Sequence, residues 1–257
     1  MDNITEAQKE KMIKELVEVG AQYGYSRTSR HSTMKPFIFG FKNNTAIIDL
    51  ELTLAQLNSA KDFMRELGQT GKKALLIGTK NEAKKIIAAA SSAAGLPYVV
   101  ERWIGGTLTN FKEIKKRIDR MKDLLDKDAK GELAVYTKKE RNVINKELGD
   151  LERNFGGIVD LIKEPDAIIV IDPNKEKTAM REAVALKIPI IALASSDCDI
   201  SEVIYPIVAN DSARTSIKYF VEQLVNAYRE GLSQAVKEEN KEEKTEMKKE
   251  AVSLKKQ

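Results

Sequence analysis

The part of the chain that decides the fold reads ALLIGTKNEAKKIIAAASSAAGLPYVVE over residues 74–101. It contains two short apolar runs, 74–78 and 98–101, and an alanine-rich segment between them, 81–94, that is followed by Gly95. Short apolar runs bounded by turn residues are typical of strands that are buried on both faces, and a glycine commonly follows the last turn of a helix. The stretch therefore predicts a strand, a helix and a second strand in succession.

The same alternation extends along the chain in both directions. Apolar, β-branched runs recur at 167–171, 189–193 and 205–208, with helical patterns at 178–186 and 213–228. Before residue 74 the pattern predicts a helix over 6–19, a β-hairpin with strands 37–41 and 46–50 around Asn43-Asn44, and a helix capped by Thr53 that runs to about residue 67. We therefore expect an α/β fold, in which helices cover both faces of a parallel sheet.

The alternation is interrupted between residues 107 and 160. Apolar residues recur there at intervals of three and four in two series, joined by a polar link over 126–133; the first is Phe111, Ile114, Ile118, Met121 and Leu125, and the second is Ile144, Leu148, Leu151, Phe155, Ile158 and Ile162. Heptad spacing of this kind predicts two helices that fold back on each other as an antiparallel coiled-coil hairpin inserted into the sheet domain.

These patterns divide the chain into four parts. Residues 1–50 hold the N-terminal helix, a basic loop and the β-hairpin; residues 51–106 and 163–231 form the α/β sheet domain; residues 107–162 are the hairpin insertion. The tail over 232–257 is rich in lysine and glutamate and contains no aromatic residue, so it is either a solvated helix or disordered.

Composition excludes several classes of protein. The chain has 257 residues, of which 42% are hydrophobic and 32% charged, and no apolar run is long enough to span a bilayer. Cys198 and His31 are each the only residue of their kind, so neither an intrachain disulfide nor a Cys/His metal cluster can form. We expect a reduced cytoplasmic protein without a metal or cofactor.

The positive charge is concentrated in two segments. The net charge is only +4, yet no acidic residue lies between Glu18 and Asp49, and residues 112–122 hold six basic residues against two acidic ones. Arginine and lysine neutralise phosphates, hydroxyls donate hydrogen bonds to them, and aromatic rings stack on bases. A disordered loop and an ordinary charged helix surface are the alternatives for these two segments. The residues of these two segments that we predict to bind RNA are Arg27, Arg30, His31, Lys35, Lys112, Lys115, Lys116, Arg117 and Arg120. Arg102, which lies where the strand over 98–101 meets the hairpin, is the further residue in this prediction.

An enzymatic site is a competing hypothesis. Four carboxylates follow predicted strands, at the edge where open α/β sheets bind ligands: Asp172, Asp197, Asp199 and Asp211. A magnesium-dependent phosphoryl-transfer site is therefore the strongest enzymatic hypothesis. No serine, cysteine or histidine is spaced near them as an activated nucleophile. The glycines at 68 and 71 have the wrong spacing for a phosphate-binding loop, whereas the turn over 78–81 is a weak candidate for an anion site at a helix N-terminus.

A third hypothesis is a scaffold whose hairpin binds another coiled coil.

Several motifs, in order along the chain, resemble one family. The stretch YVVERWIGGTLTNF over residues 98–111 closely resembles the signature of small-subunit ribosomal protein two in its bacterial form. The stretches 34–40, 47–50, 171–173 and 188–192 resemble further parts of that family, and the resemblance runs from about residue 16 to residue 231. The chain departs from the family pattern at Gln22 and Tyr25, where histidines are common, and at Ala209, where glycine is usual.

The resemblance implies a fold, a function and partners. The fold would be a flavodoxin-like, three-layer parallel sheet with an inserted coiled-coil hairpin. The protein would be a structural, non-enzymatic constituent of the cytoplasmic small ribosomal subunit that binds 16S ribosomal RNA, contacts other small-subunit proteins and helps anchor ribosomal protein one. We expect Trp103 to be a packing anchor at the hairpin base, and the departures at Gln22 and Tyr25 leave no imidazole there for a contact.

Overall fold

The N-terminal part of the chain forms a helix and a small antiparallel sheet. The computed structural model describes residues 6–254, except for the side chains of Ala134 and of residues 236–254. Helix α1 (Glu6–Glu18) is followed by β1 (Tyr23–Ser26), two short 3-10 turns (Arg27–Ser29 and Ser32–Phe37), β2 (Ile38–Lys42) and β3 (Thr45–Ile48). The strands pair in the order β1-β3-β2, and Asn43 and Asn44 both adopt positive φ, as a two-residue hairpin turn requires.

A five-stranded parallel sheet forms the centre of the molecule. Its strands are β4 (Ala74–Ile77), β5 (Tyr98–Val99), β6 (Ala167–Ile171), β7 (Ile190–Ala194) and β8 (Tyr205–Val208), in the order β5-β4-β6-β7-β8. Counted among themselves, these strands follow the order 2-1-3-4-5 of flavodoxin-like sheets. The expected α/β architecture is confirmed.

Helices cover the two faces of this sheet with separate cores. On one face α1 packs with α2 (Leu50–Gln69), α3 (Asn81–Ala94) and α7 (Arg214–Leu254), around residues such as Met64 and Phe220. On the other face lie α6 (Lys177–Ala185) and the base of the insertion, around Trp103 and Phe155. None of the described helices is both long and apolar enough to cross a membrane.

The insertion consists of two helices that run in opposite directions. Helix α4 (Phe111–Ala129) and helix α5 (Lys138–Phe155) are joined by a 3-10 turn (Glu132–Val135). The start of α4 packs near the end of α5 in the core of the sheet domain, whereas Met121 and Leu124 form a smaller cluster with Leu148. The pair is therefore antiparallel, and its coiled-coil geometry stays a prediction.

Four local predictions differ from the structure. Helix α2 begins at Leu50 because Asp49 caps it, accepting hydrogen bonds from the amides of Glu51 and Leu52; Thr53 lies inside the helix and donates to the carbonyl of Val208. The basic segment that the sequence predicts to be a loop contains the strand β1 and two 3-10 turns.

In the insertion, Leu124 takes the buried position predicted for Leu125, because the interval from Met121 is three residues and not four. Ile162 lies beyond the end of α5 and is 80% exposed. Tail residues 255–257, like residues 1–5 of the N-terminal part, lie outside the described residues.

Candidate nucleic-acid interface

Two arginines of the N-terminal basic segment lie against one aromatic ring. The guanidinium carbons of Arg27 and Arg30 are 5.2 and 5.8 Å from the centroid of the Phe41 ring. Within this range the ring quadrupole attracts the cation, so Phe41 holds the two charges close together. Arg27, Arg30 and Lys35 are exposed, and none of them forms an ion pair with a described residue.

His31 is attached to the edge of the central sheet. Its amide donates to the carbonyl oxygen of Ser196, just beyond β7, and its Nδ1 lies 2.8 Å from the hydroxyl oxygen of Thr33. Asp199 approaches the same nitrogen at 3.9 Å. The residue therefore fixes the position of the basic segment, and only part of its ring faces solvent.

Helix α4 separates an apolar side from a cationic side. Phe111, Ile114 and Ile118 are buried against the sheet domain, whereas the six basic residues of this segment are exposed: Lys112, Lys115, Lys116, Arg117, Arg120 and Lys122. Lys116 pairs with Glu113 at 2.6 Å, and Arg120 pairs with Glu147 of α5 at 3.4 Å. Lys112, Lys115, Arg117 and Lys122 form no ion pair with the described part of the chain, so their charges are available to an outside anion.

Arg102 and Trp103 stand where the sheet meets the insertion. Arg102 is exposed, whereas Trp103 is buried and its indole nitrogen donates to Glu182 of α6 at 3.0 Å. The prediction that Trp103 is a packing anchor is confirmed by this burial.

Glu182 holds the connection between β5 and α4 in place. Its carboxylate accepts hydrogen bonds from the indole of Trp103 and from the amides of Gly106, Leu108 and Thr109, the amides at 2.9 to 3.2 Å. Burial raises the pKa of Glu182, but these donors outweigh that effect and the net pKa is lowered. Gly106, whose amide is one of these donors, adopts φ +89, a conformation that glycine tolerates better than other residues.

The carboxyl edge of the sheet carries a buried charge cluster. The ammonium of Lys80 lies 3.2 Å from Asp172 and 3.3 Å from Asp211, and it also donates to the hydroxyl of Tyr25 at 3.2 Å. Burial lowers the pKa of Lys80, but the neighbouring Asp211, Tyr25 and Asp172 more than offset that, so its pKa is raised. Burial and the charge of Asp172 raise the pKa of Asp211 to about 6, against the lowering effect of Lys80.

This cluster occupies the place where an enzyme of this architecture would bind its ligand. Asp172, Cys198 and Asp211 offer possible metal-ligating atoms within 4.8 Å of one another, but Lys80 already supplies a cation to both carboxylates. Burial, followed by the nearby Asp197, raises the pKa of the Cys198 thiol, which disfavours the thiolate a metal would need. Segment β1 covers the edge, since the amide of Tyr25 donates to the hydroxyl of Ser196.

The remaining enzymatic candidates are engaged elsewhere. Asp197 accepts a hydrogen bond from Asn174, and Asp199 accepts from the amide and hydroxyl of Ser201. At the turn over 78–81, the amide of Thr79 donates to the buried carboxylate of Glu176, so the protein supplies its own anion there. The carboxylates at this edge of the sheet are therefore engaged by groups of the protein itself and are not free to bind a substrate.

Sequence reasoning overlooked two aromatic residues of the N-terminal sheet. Phe41 carries the two arginines, and Phe39 is 81% exposed on the same strand. The acid-free composition of the segment drew attention to its cations, but an apolar residue in a predicted strand is ordinarily taken as buried. Only the register of the strand shows that these rings face outward.

Comparisons with known proteins identify the family of the chain. The family model described as "Ribosomal protein S2" matches residues 16–231. The small ribosomal subunit protein uS2 of Mesoplasma florum is 41% identical over 225 residues, covering 88% of this chain and 85% of that protein. The uS2 of Dehalococcoides mccartyi strain BAV1 is 38% identical, covering 84% of this chain and 88% of that protein, and the uS2 of Mycolicibacterium gilvum is 41% identical, covering 86% and 79%. The chain therefore belongs to the ribosomal protein S2 family, a family of structural, non-enzymatic proteins.

Proposed function

We propose that this chain is a structural component of the small ribosomal subunit in the cytoplasm and binds 16S ribosomal RNA there through two cationic surfaces. The first, the loop surface, comprises Arg27, Arg30, His31 and Lys35. The second, the hairpin surface, comprises Lys112, Lys115, Lys116, Arg117 and Arg120, with Arg102 at its base. The division of the chain into an N-terminal part, a sheet domain, a hairpin insertion and a tail belongs to this proposal.

The unpaired cations of helix α4 are the observation that carries the proposal. Lys112, Lys115 and Arg117 are exposed and have no carboxylate partner in the described part of the chain, while the opposite side of the helix is anchored in the core. A rigid helix that presents several unpaired cations binds the phosphate backbone and releases its counterions. Glu182 and Trp103 fix the base of the insertion, so these charges are held in a constant orientation.

The loop surface and the hairpin surface both begin at the carboxyl edge of the central sheet. His31 binds the backbone just after β7, and Arg102 follows the carboxyl end of β5, so both surfaces leave the carboxyl edge of a parallel sheet. We propose that the two surfaces contact separate parts of one RNA, because they start at different strands of that edge. Positioning of RNA, and not catalysis, is the proposed role.

The proposal extends to protein partners. As a member of this family, the chain would contact other small-subunit proteins and help to anchor ribosomal protein one. Small subunits assembled with and without this chain should then differ in the amount of ribosomal protein one that sediments with them, and equal amounts would contradict this part of the proposal.

The decisive experiment is sedimentation of tagged protein from a bacterial lysate, with and without ribonuclease. The wild-type chain should sediment with small subunits, and ribonuclease should release it. The triple variant Lys112→Ala, Lys115→Ala, Arg117→Ala should lose at least ten-fold in affinity for purified 16S ribosomal RNA, because three phosphate contacts disappear, and the dependence of its affinity on salt should become weaker.

A matched control removes three cations from the other side of the molecule. Lys9, Lys11 and Lys14 are exposed on α1, which packs against the sheet face opposite to the insertion. Their replacement by alanine should leave RNA affinity within about two-fold. Equal losses in both triple variants would mean that net charge, and not the hairpin surface, governs binding, and sedimentation of the wild type as a free protein would refute the proposal.

A further inference from the structure

Phe39 is an aromatic ring that the fold turns toward solvent. It lies on β2, within an ordered sheet, and 81% of its surface is exposed. Burial of a phenylalanine side chain is worth about 1.5–3 kcal/mol, so the isolated chain gains almost none of that stabilisation here.

Phe39 lies at a backbone irregularity of β2. Strand β2 pairs with β3 at Ile38↔Ile48 and next at Gly40↔Ile47, so two residues of β2 advance where β3 advances by one. Phe39 is the extra residue of this β-bulge. Bulges redirect side chains and occur preferentially beside functional sites.

Four cations without a described carboxylate partner belong to the same segment of the chain as Phe39. Phe41, two residues further along β2, holds the guanidinium groups of Arg27 and Arg30. Lys35 and Lys42, on either side of the bulge in sequence, are exposed, and neither forms an ion pair with a described residue. An exposed ring in a segment that also presents several cations without carboxylate partners has the chemistry of a single-stranded nucleic-acid site, where bases stack on aromatic side chains and phosphates contact arginine and lysine.

We infer that Phe39 is a stacking platform for an unpaired RNA base, whose neighbouring phosphates are held by Arg27 and Arg30. This inference rests on the proposed function and narrows it: the loop surface reads an unstacked nucleotide, whereas the hairpin surface meets RNA backbone. A paired base offers no free face to the ring, so the site selects loops, bulges or ends over uninterrupted duplex. An apolar protein surface would account for the exposed ring, but not for the four exposed cations of the same segment, Arg27, Arg30, Lys35 and Lys42, which pair with no described carboxylate.

The test compares two fluorescent RNA probes on the full chain by anisotropy. One probe is a ten-nucleotide polyuridine, and the other is a blunt duplex of sixteen base pairs. Phe39→Leu keeps an apolar side chain but removes the ring, and it should weaken binding of the polyuridine about ten-fold, as the loss of one stacked base does, without changing duplex binding. Phe39→Trp should retain polyuridine binding. Val135→Ala is the control, because Val135 is equally accessible, at 90% exposure, on the turn between α4 and α5.

The outcomes separate this inference from the proposed function. If the wild type binds both probes and Phe39→Leu weakens neither or both equally, the stacking role is refuted while RNA binding stands. If the wild type binds neither probe nor 16S ribosomal RNA, the proposed function itself fails. If Phe39→Leu leaves RNA binding intact but reduces association with assembled small subunits, the ring contacts a protein and the inference is overturned. Ultraviolet crosslinking gives a direct readout, since a stacked uridine should leave its mass adduct on Phe39.

Discussion

Replacement of Glu182 by glutamine should loosen the base of the helical insertion. One oxygen of this carboxylate accepts from the indole of Trp103 and the amide of Gly106, and the other accepts from the amides of Leu108 and Thr109 and from the Thr109 hydroxyl. Every partner is a donor. Glutamine is nearly isosteric, but its NH2 group donates and accepts nothing.

The magnitude follows from the number of donors that lose their acceptor. Whichever way the amide turns, one of the two oxygens becomes NH2, and at least two of the donors face another donor. An unsatisfied buried donor costs about 1–3 kcal/mol. Two such donors, combined with the loss of charge-assisted bonds, give an expected loss of about 3 kcal/mol in the free energy of unfolding of Glu182→Gln.

The assay uses the only tryptophan of the chain. Trp103 is itself a partner of Glu182, so its fluorescence reports on this site directly. Urea unfolding followed by Trp103 emission should show a lower midpoint in the variant and a red shift before global unfolding, while far-ultraviolet circular dichroism shows the helices still formed. Glu10→Gln on the exposed side of α1 is the matched control and should change stability by less than about 0.5 kcal/mol.

A variant that unfolds within about 0.5 kcal/mol of the wild type, with unchanged Trp103 emission, would refute the reasoning. It would show that the backbone between β5 and α4 keeps its conformation without the carboxylate. The anchoring role assigned to Glu182, and with it the fixed orientation of the hairpin surface, would have to be abandoned.

Three further predictions concern other parts of the molecule. The pKa of Asp211 is raised to about 6 in the folded state, so the wild-type protein loses stability as pH rises from about 4 to 7 and this carboxyl group ionises. Asp211→Asn should therefore gain stability relative to the wild type across that window, as measured by urea unfolding at several pH values. A difference in unfolding free energy between the two proteins that does not change with pH would contradict this. Gly231→Ala should destabilise the fold by about 2 kcal/mol or more, because its new methyl group would overlap the carbonyl oxygen of Arg65 where α7 packs on α2, and thermal melting of the variant tests this. Cys198, buried and with its thiol pKa raised, should react with a thiol reagent only after unfolding, and rapid reaction in the native state would show the carboxyl edge to be open.

The sequence by itself determined the architecture and the family. The apolar runs at 74–78 and 167–171 matched β4 and β6 closely, because a strand buried on both faces must be apolar at every position, and the run at 205–208 matched the edge strand β8. Glycine after an alanine-rich helix placed the end of α3 at Ala94, and Gly95 adopts the left-handed conformation expected of it. The interruption of the alternation located the two helices of the insertion. These features depend on local periodicity, which the sequence records directly.

Tertiary structure decided everything that depends on which residues meet. Thr53 looked like a helix cap, but Asp49 caps the helix, since the hydroxyl of Thr53 is used by the carbonyl of Val208, 155 positions away. Asp172 and Asp211 looked like a ligand site, and only the fold brings Lys80 between them.

The same holds for the aromatic and acidic residues that shape the candidate interface. Glu182 has no sequence signal that distinguishes it from a surface glutamate, and Phe39 none that distinguishes it from a core phenylalanine. Hydrogen bonds and strand register between distant segments assign their roles, and local sequence cannot report a partner that is contributed from elsewhere in the chain.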